Sequence, residues 1–109
     1  MQVVMMPEVV EYLDNLIDVL FEKQYFSYAE DAIEYVDELR DEIKTKLPAK
    51  LHKPAPRHFD RYGKGMKYSG FRKNKQNTWY VFFKTYRADG ETVYVVRYIA
   101  NNHVVAQYL

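Results

Sequence analysis

The chain of 109 residues contains no cysteine, which excludes a disulfide framework, a thiolate nucleophile and cysteine-ligated zinc. A reducing compartment is therefore permitted. Histidine is scarce, with His52, His58 and His103 only, and no His-Glu-x-x-His pattern, so a metal site is not expected. The two serines, Ser27 and Ser69, lie outside any Gly-x-Ser-x-Gly elbow, which argues against a serine hydrolase. Gly63-Lys64-Gly65 lacks the glycine spacing and following hydroxyl of a phosphate-cradling loop and reads as a turn. No cofactor is expected. Long hydrophobic runs are also missing: Met1 to Pro7 is apolar but short and has no basic stretch before it, so neither an export signal nor a membrane span is expected. The expected setting is the cytoplasm.

What the chain has is a strong internal polarity of charge. Residues 1–45 carry twelve acids against three bases, residues 46–75 ten bases against one acid, and residues 76–109 three bases against two acids. The whole-chain charge of +1 conceals this. Phe59, Tyr62, Tyr68 and Phe71 are interleaved with the cations of the middle segment. Clustered positive charge beside aromatic rings suits a polyanion or an acidic protein, because counterion release and field focusing both reward it. The plainer alternative is a solvated loop neutralised by the acidic helices of the same fold.

With 48% hydrophobic and 17% aromatic residues there is ample material for one core, and no repeat or second domain is visible, so residues 1–109 form one domain. Gln2 to Met6 reads as a short strand. Apolar residues at helical spacing from Val9 to Phe21 predict a helix over Glu8 to Glu22, opened by Pro7. Ser27 and Glu30 have capping-box spacing for a second helix reaching Lys46, with the stripe Ala29, Ala32, Ile33, Val36, Leu39, Ile43 and Leu47 and a stop at Pro48. Its seven acids, Glu30 to Glu42, should face mostly outward. Pro48, Pro54 and Pro56 predict an irregular stretch, and Met66 to Asn74 a strand. Thr78 to Ala88 and Glu91 to Ala100 should form a hairpin around Asp89-Gly90. Strict alternation then puts Val81, Phe83, Val96 and Tyr98 on one face and Tyr80, Phe82, Arg97 and Ile99 on the other. The expected fold class is α+β: a helical hairpin against one face of a small, mainly antiparallel sheet.

Metal-free RNA cleavage needs a base for the 2′-hydroxyl proton, cations for the charged phosphorus centre and an acid for the leaving oxygen. Arg97, His103, Arg72, Lys67 and several tyrosines are of the right types, and rings can also stack unpaired bases. His103, in Asn101-Asn102-His103 after the last strand, stands where exposed loop residues often act, and the asparagines suit helix capping.

A short first strand, a helical hairpin, a basic segment, the strand Asn77-Thr78-Trp79-Tyr80-Val81-Phe82-Phe83, an Asp-Gly hairpin and the ending Val96 to His103 together resemble the RelE/ParE toxin superfamily. The likeness covers nearly the whole chain in element order, and its motifs fall within residues 72–109. It implies a small cytoplasmic toxin neutralised by a cognate antitoxin protein. Two activities occur in that superfamily: cleavage of messenger RNA on the ribosome, and inhibition of DNA gyrase. The resemblance carries over Arg97 and His103 as the catalytic positions, Arg97 as phosphate electrophile and His103 as acid or base, and Tyr98 or Tyr108 is the expected stacking or proton partner beside them. Backbone contacts to nucleic acid fall to Lys64, Lys67, Arg72, Lys73 and Lys75. One departure stands out. RelE-like nucleases usually carry an arginine near the start of the strand that here begins Asn77-Thr78-Trp79, and none is present.

Overall fold

The computed structural model describes residues 1–109 as an α+β fold: two helices packed on one face of a five-stranded mixed sheet. Strands β1 (Gln2–Met5), β2 (Lys53–Pro54), β3 (Lys67–Arg72), β4 (Thr78–Ala88) and β5 (Glu91–Asn101) lie in the order β1-β5-β4-β3-β2. Only β1 runs parallel to its neighbour; the other pairings are antiparallel. The expected Asp89-Gly90 turn joins β4 to β5, and both of its residues take positive φ, 52° and 77°. That is the turn geometry Asp-Gly favours because its twist matches the flanking strands.

Helix α1 (Pro7–Glu22) begins at its proline, whose missing N–H costs nothing in a first turn. Helix α2 (Ala29–Lys46) follows a short connection, and Arg40 bonds Asp14 of α1 at 2.9 Å. The expected capping box does not form. Tyr28 is the N-cap residue, in extended conformation, and no side chain caps the helix. Ser27 sits one residue too early to reach the free amides that a capping hydroxyl serves. Val9, Leu13 and Leu16 of α1 and Ala32, Val36, Leu39 and Ile43 of α2 are buried as the periodicity requires, whereas Val10, Phe21, Ala29 and Ile33 from the same stripes are exposed. Six of the seven α2 acids are exposed, and Glu42 is half-buried.

Two cores result. Between helices and sheet, Leu13, Leu39, Ile43 and Leu47 meet Phe71, Trp79, Val81, Phe83, Val96 and Ile99. On the opposite face Phe59, Met66, Phe82, Ala100 and Val105 form a smaller cluster. Its cover comes from two segments. Residues Arg57–Tyr62, expected to be irregular, wind into a 3-10 helix that lays Phe59 on Phe82 at 4.4 Å between ring centroids. The chain end forms helix α3 (Asn102–Val105) and a 3-10 turn, with the Asn101 side chain accepting the His103 N–H at 3.0 Å.

Strict alternation fails in β5. Phe82 pairs with Tyr98 but Phe83 pairs with Val96, so Arg97 is an extra residue, a β-bulge. The bulge moves every later side chain to the other face. Ile99 consequently joins Val81 and Val96 beneath the helices, and Tyr98 joins Phe82 on the far face, the reverse of the alternation-based expectation.

Candidate functional site

Strand β1 ends at Met5, opposite Val96, while β5 runs on to Asn101. The edge of β5 is thus left without a strand partner from Arg97 onward. A cleft of about 440 Å³ lies there. Met6, Val9 and Ile99 supply apolar lining, Glu8 and Tyr12 come from the first turns of α1, Arg61 and Tyr62 from the 3-10 helix, and Arg97 and Tyr98 from the bulge. The start of α1 is pinned in place, because the Met6 N–H donates to the Val96 carbonyl at 2.9 Å, one residue before the bulge.

The bulge sets Arg97 and Tyr98 side by side. Tyr98 stacks on Tyr62 with ring centroids 3.8 Å apart and planes 6° from parallel. Arg97 is held by two bonds: Nε donates to the Tyr62 carbonyl at 3.0 Å and Nη1 to the Tyr86 hydroxyl at 3.4 Å. Gly63 follows directly, at φ 153°, and a Cβ there would stand 3.0 Å from Arg97 Nε. Glycine is required for both reasons, its φ and the close approach of the guanidinium. The Arg61 guanidinium lies 5.8 Å from the centre of the Tyr62 ring.

Burial pushes the Tyr98 hydroxyl up to about 12, helped by its hydrogen bond to and the charge of Tyr62 and by Tyr12, against the opposing pull of Arg61. Burial also raises Tyr12. Both phenols therefore keep their protons at neutral pH and can act as hydrogen-bond donors to an anion. Two guanidiniums, donor hydroxyls, stacked rings and an apolar floor suit an anionic ligand with a planar part, such as a phosphate carrying a base.

The other residues singled out by sequence are dispersed. Lys64 is exposed in the turn beside Gly63, Lys67 and Arg72 are exposed at the two ends of β3, and Lys75 is exposed in the following loop. Arg72 Nε donates to the Asn74 carbonyl at 3.2 Å. Lys73 is engaged within the fold, 3.1 Å from Glu42 and 3.8 Å from Glu38, over the Tyr35 ring. A second depression of about 500 Å³ lies near the β2–β3 edge among Lys50, Lys53, Tyr68, Tyr80 and Leu109. His103 is exposed on α3 and lines neither cleft. At the strand rise of about 3.3 Å per residue, Asn101 alone is some 13 Å along β5 from Arg97. His52 bonds the Leu47 carbonyl at 2.8 Å, and His58 stacks on Tyr108 at 3.7 Å. No group of three or more His, Asp or Glu side chains is placed to hold a metal.

Sequence reasoning brings Arg97 and Tyr98 to this site and misses Glu8, Tyr12, Arg61 and Tyr62. Arg61 and Tyr62 lie in the basic, aromatic segment and carry that signal. Glu8 and Tyr12 carry none, since only the β1–β5 pairing brings the start of α1 to the bulge.

Fold and cleft define an α+β protein with a helical hairpin on one face of a mixed sheet and a cationic, tyrosine-lined site at the open edge of its last strand. Compared with family models, curated proteins and solved structures, the chain matches none. No helix is long and apolar enough to cross a membrane.

Proposed function

We propose that the chain is the toxin of a toxin–antitoxin pair of the RelE/ParE type, acting in the cytoplasm by cutting messenger RNA on the ribosome and neutralised by a cognate antitoxin. The observation that carries this reading is the bulge, which brings both Arg97 and Tyr98 into the lining of one open cleft together with a second arginine, Arg61. The element order, with a first strand, a helical hairpin and an antiparallel β3–β4–β5 unit, supports it as well. Arg97 offsets the charge that develops on phosphorus, and Tyr98 stacks or donates a proton. Exposed Lys64, Lys67, Arg72 and Lys75 hold the RNA backbone. Expression of the chain in cells, followed by mapping of message 5′ ends, tests the reading. New ends and growth arrest that vanish in R97A are the expected result, and intact messages during arrest would remove it.

One observation favours a second reading, inhibition of DNA gyrase without catalysis. The first residue of β4 is Thr78, whose N–H is taken up by Asn102 Oδ1 at 3.0 Å, and the strand start Asn77-Thr78-Trp79 itself carries no arginine, the nearest being Arg72 across the strand pair on β3. Loss of gyrase supercoiling at micromolar protein, with RNA intact, distinguishes it.

A further inference from the structure

The lining of the edge cleft is unusual in its proton inventory. Arg61 and Arg97 do not release protons in proteins, and Met6, Val9 and Ile99 have none to exchange. Tyr98 and Tyr12 are held in the protonated form. Tyr62 is stacked against Tyr98. Glu8 is the one carboxylate among the lining residues.

Its position is set by backbone rather than by a flexible loop. Glu8 stands in the first turn of α1, two residues after Met6, whose N–H is bonded to the Val96 carbonyl. Arg97 is the next residue after Val96. Glu8 and Arg97 are thus each within two residues along the chain of one hydrogen bond that ties the start of α1 to β5. Glu8 is exposed and enters no ion pair within the fold, so its charge is open to a ligand.

We infer that the edge cleft is a complete metal-independent transesterification site in which Glu8 takes the proton of the attacking hydroxyl, an inference that rests on the RNA-cleaving reading. The ribose 2′-oxygen forms a bond to the adjacent phosphorus as its proton passes to the Glu8 carboxylate. The bond from phosphorus to the 5′-oxygen breaks, and the Tyr98 hydroxyl gives its proton to that oxygen. Arg61 and Arg97 face the non-bridging oxygens while the extra charge is present. The products are a 2′,3′-cyclic phosphate and a 5′-hydroxyl end. Transfer of the proton from Glu8 back to the Tyr98 phenolate through water restores the site. His103 has no part in the step.

The test uses the full chain with ribosomes programmed with a short message, comparing wild type, E8Q and E8D. Loss of a general base costs about 10²- to 10⁴-fold in rate. E8Q is expected to lower kcat by at least about 10²-fold with little change in KM, and E8D to keep part of the rate. The low-pH limb of the wild-type profile should disappear in E8Q. The titratable and charged groups that line the cleft with Glu8 are Tyr12 on its own helix, Arg61 and Tyr62 from the 3-10 helix, and Arg97 and Tyr98 from β5, and Glu11 is its neighbour three residues on along α1; all are unchanged in E8Q. Thermal unfolding of each variant separates a chemical loss from a folding loss. An E8Q protein that folds, cleaves at the wild-type rate and keeps the low-pH limb overturns the role of Glu8 and leaves the RNA-cleaving reading standing. A wild-type chain that cuts no message overturns both.

Discussion

The ring of Tyr98 lies flat on that of Tyr62, 3.8 Å between centroids, while the carbonyl of the same Tyr62 receives the Arg97 Nε at 3.0 Å. One residue of the 3-10 helix therefore orients both side chains of the bulge. Side chain and backbone of Tyr62 act on neighbours that ordinary alternation would have sent to opposite faces of the sheet.

The Tyr98 hydroxyl gives a measurable pH dependence. Its value in the folded chain is raised to about 12 from 10.0. The unfolded chain therefore loses this proton first as pH rises, and the folded state binds more protons in the window between them. Stability from this group is fully present below about pH 10 and declines between about pH 10 and 12. Urea unfolding across that range should show the decline in wild type and a shallower one in Y98F. Equal slopes in the two proteins would count against the raised value.

Gly63→Ala should cost about 1–3 kcal/mol of stability, because alanine at φ 153° is strained and its Cβ would press on Arg97. RNA affinity should fall along with stability, since Arg97 is displaced. Gly65→Ala, also at positive φ but with open space around it, should destabilise without weakening binding. Denaturant melts paired with RNA titrations separate the two effects.

Lys73 and Arg72 should behave in opposite ways despite being neighbours in sequence. The Lys73 side chain is only 11% exposed and is paired to Glu42, so K73A should cost about 1–2 kcal/mol of stability after allowance for the partial exposure of its partners, and change RNA affinity little. Arg72→Ala and Lys75→Ala should leave stability within about 0.5 kcal/mol. Each should lower the dependence of log K on log salt by about 0.7, the share of one neutralised phosphate on a single strand. A strong affinity loss in K73A alone would reverse this assignment.

Trp79 Nε1 donates to the Tyr35 hydroxyl at 2.9 Å, joining the sheet to α2 in the main core. Y35F leaves that buried indole N–H unpaired, at a cost of about 1–3 kcal/mol. W79F removes the donor but also shrinks a residue that is 4% exposed, so it should cost at least as much. Unfolding midpoints of the two variants check the order.

The helices and the β4–β5 hairpin are legible in the sequence because their signals are local. Leu13, Leu16, Val36, Leu39 and Ile43 repeat at helical spacing and are buried, and Asp89-Gly90 specifies its own turn. The capping-box spacing misleads because Ser27 and Tyr28 compete for one cap position, and a one-residue shift removes the hydroxyl from reach. The 3-10 helix over Arg57–Tyr62 is hidden among prolines, since what holds it is the contact of Phe59 with Phe82 from a strand more than twenty residues away.

The α+β class, the helical hairpin, the antiparallel strands and the concentration of cations in residues 46–75 all follow from local pattern, because periodicity, turn chemistry and charge act over a few neighbouring residues. The site does not. An extra residue in one strand of a pair is visible only in the pairing, and the bulge at Arg97 moves Tyr98 to the far face and Ile99 to the core. The placing of Glu8 and Arg97 around one cleft likewise depends on a parallel contact between β1 and β5, whose residues lie some ninety positions apart. No local pattern encodes which strand edge such a contact will leave open.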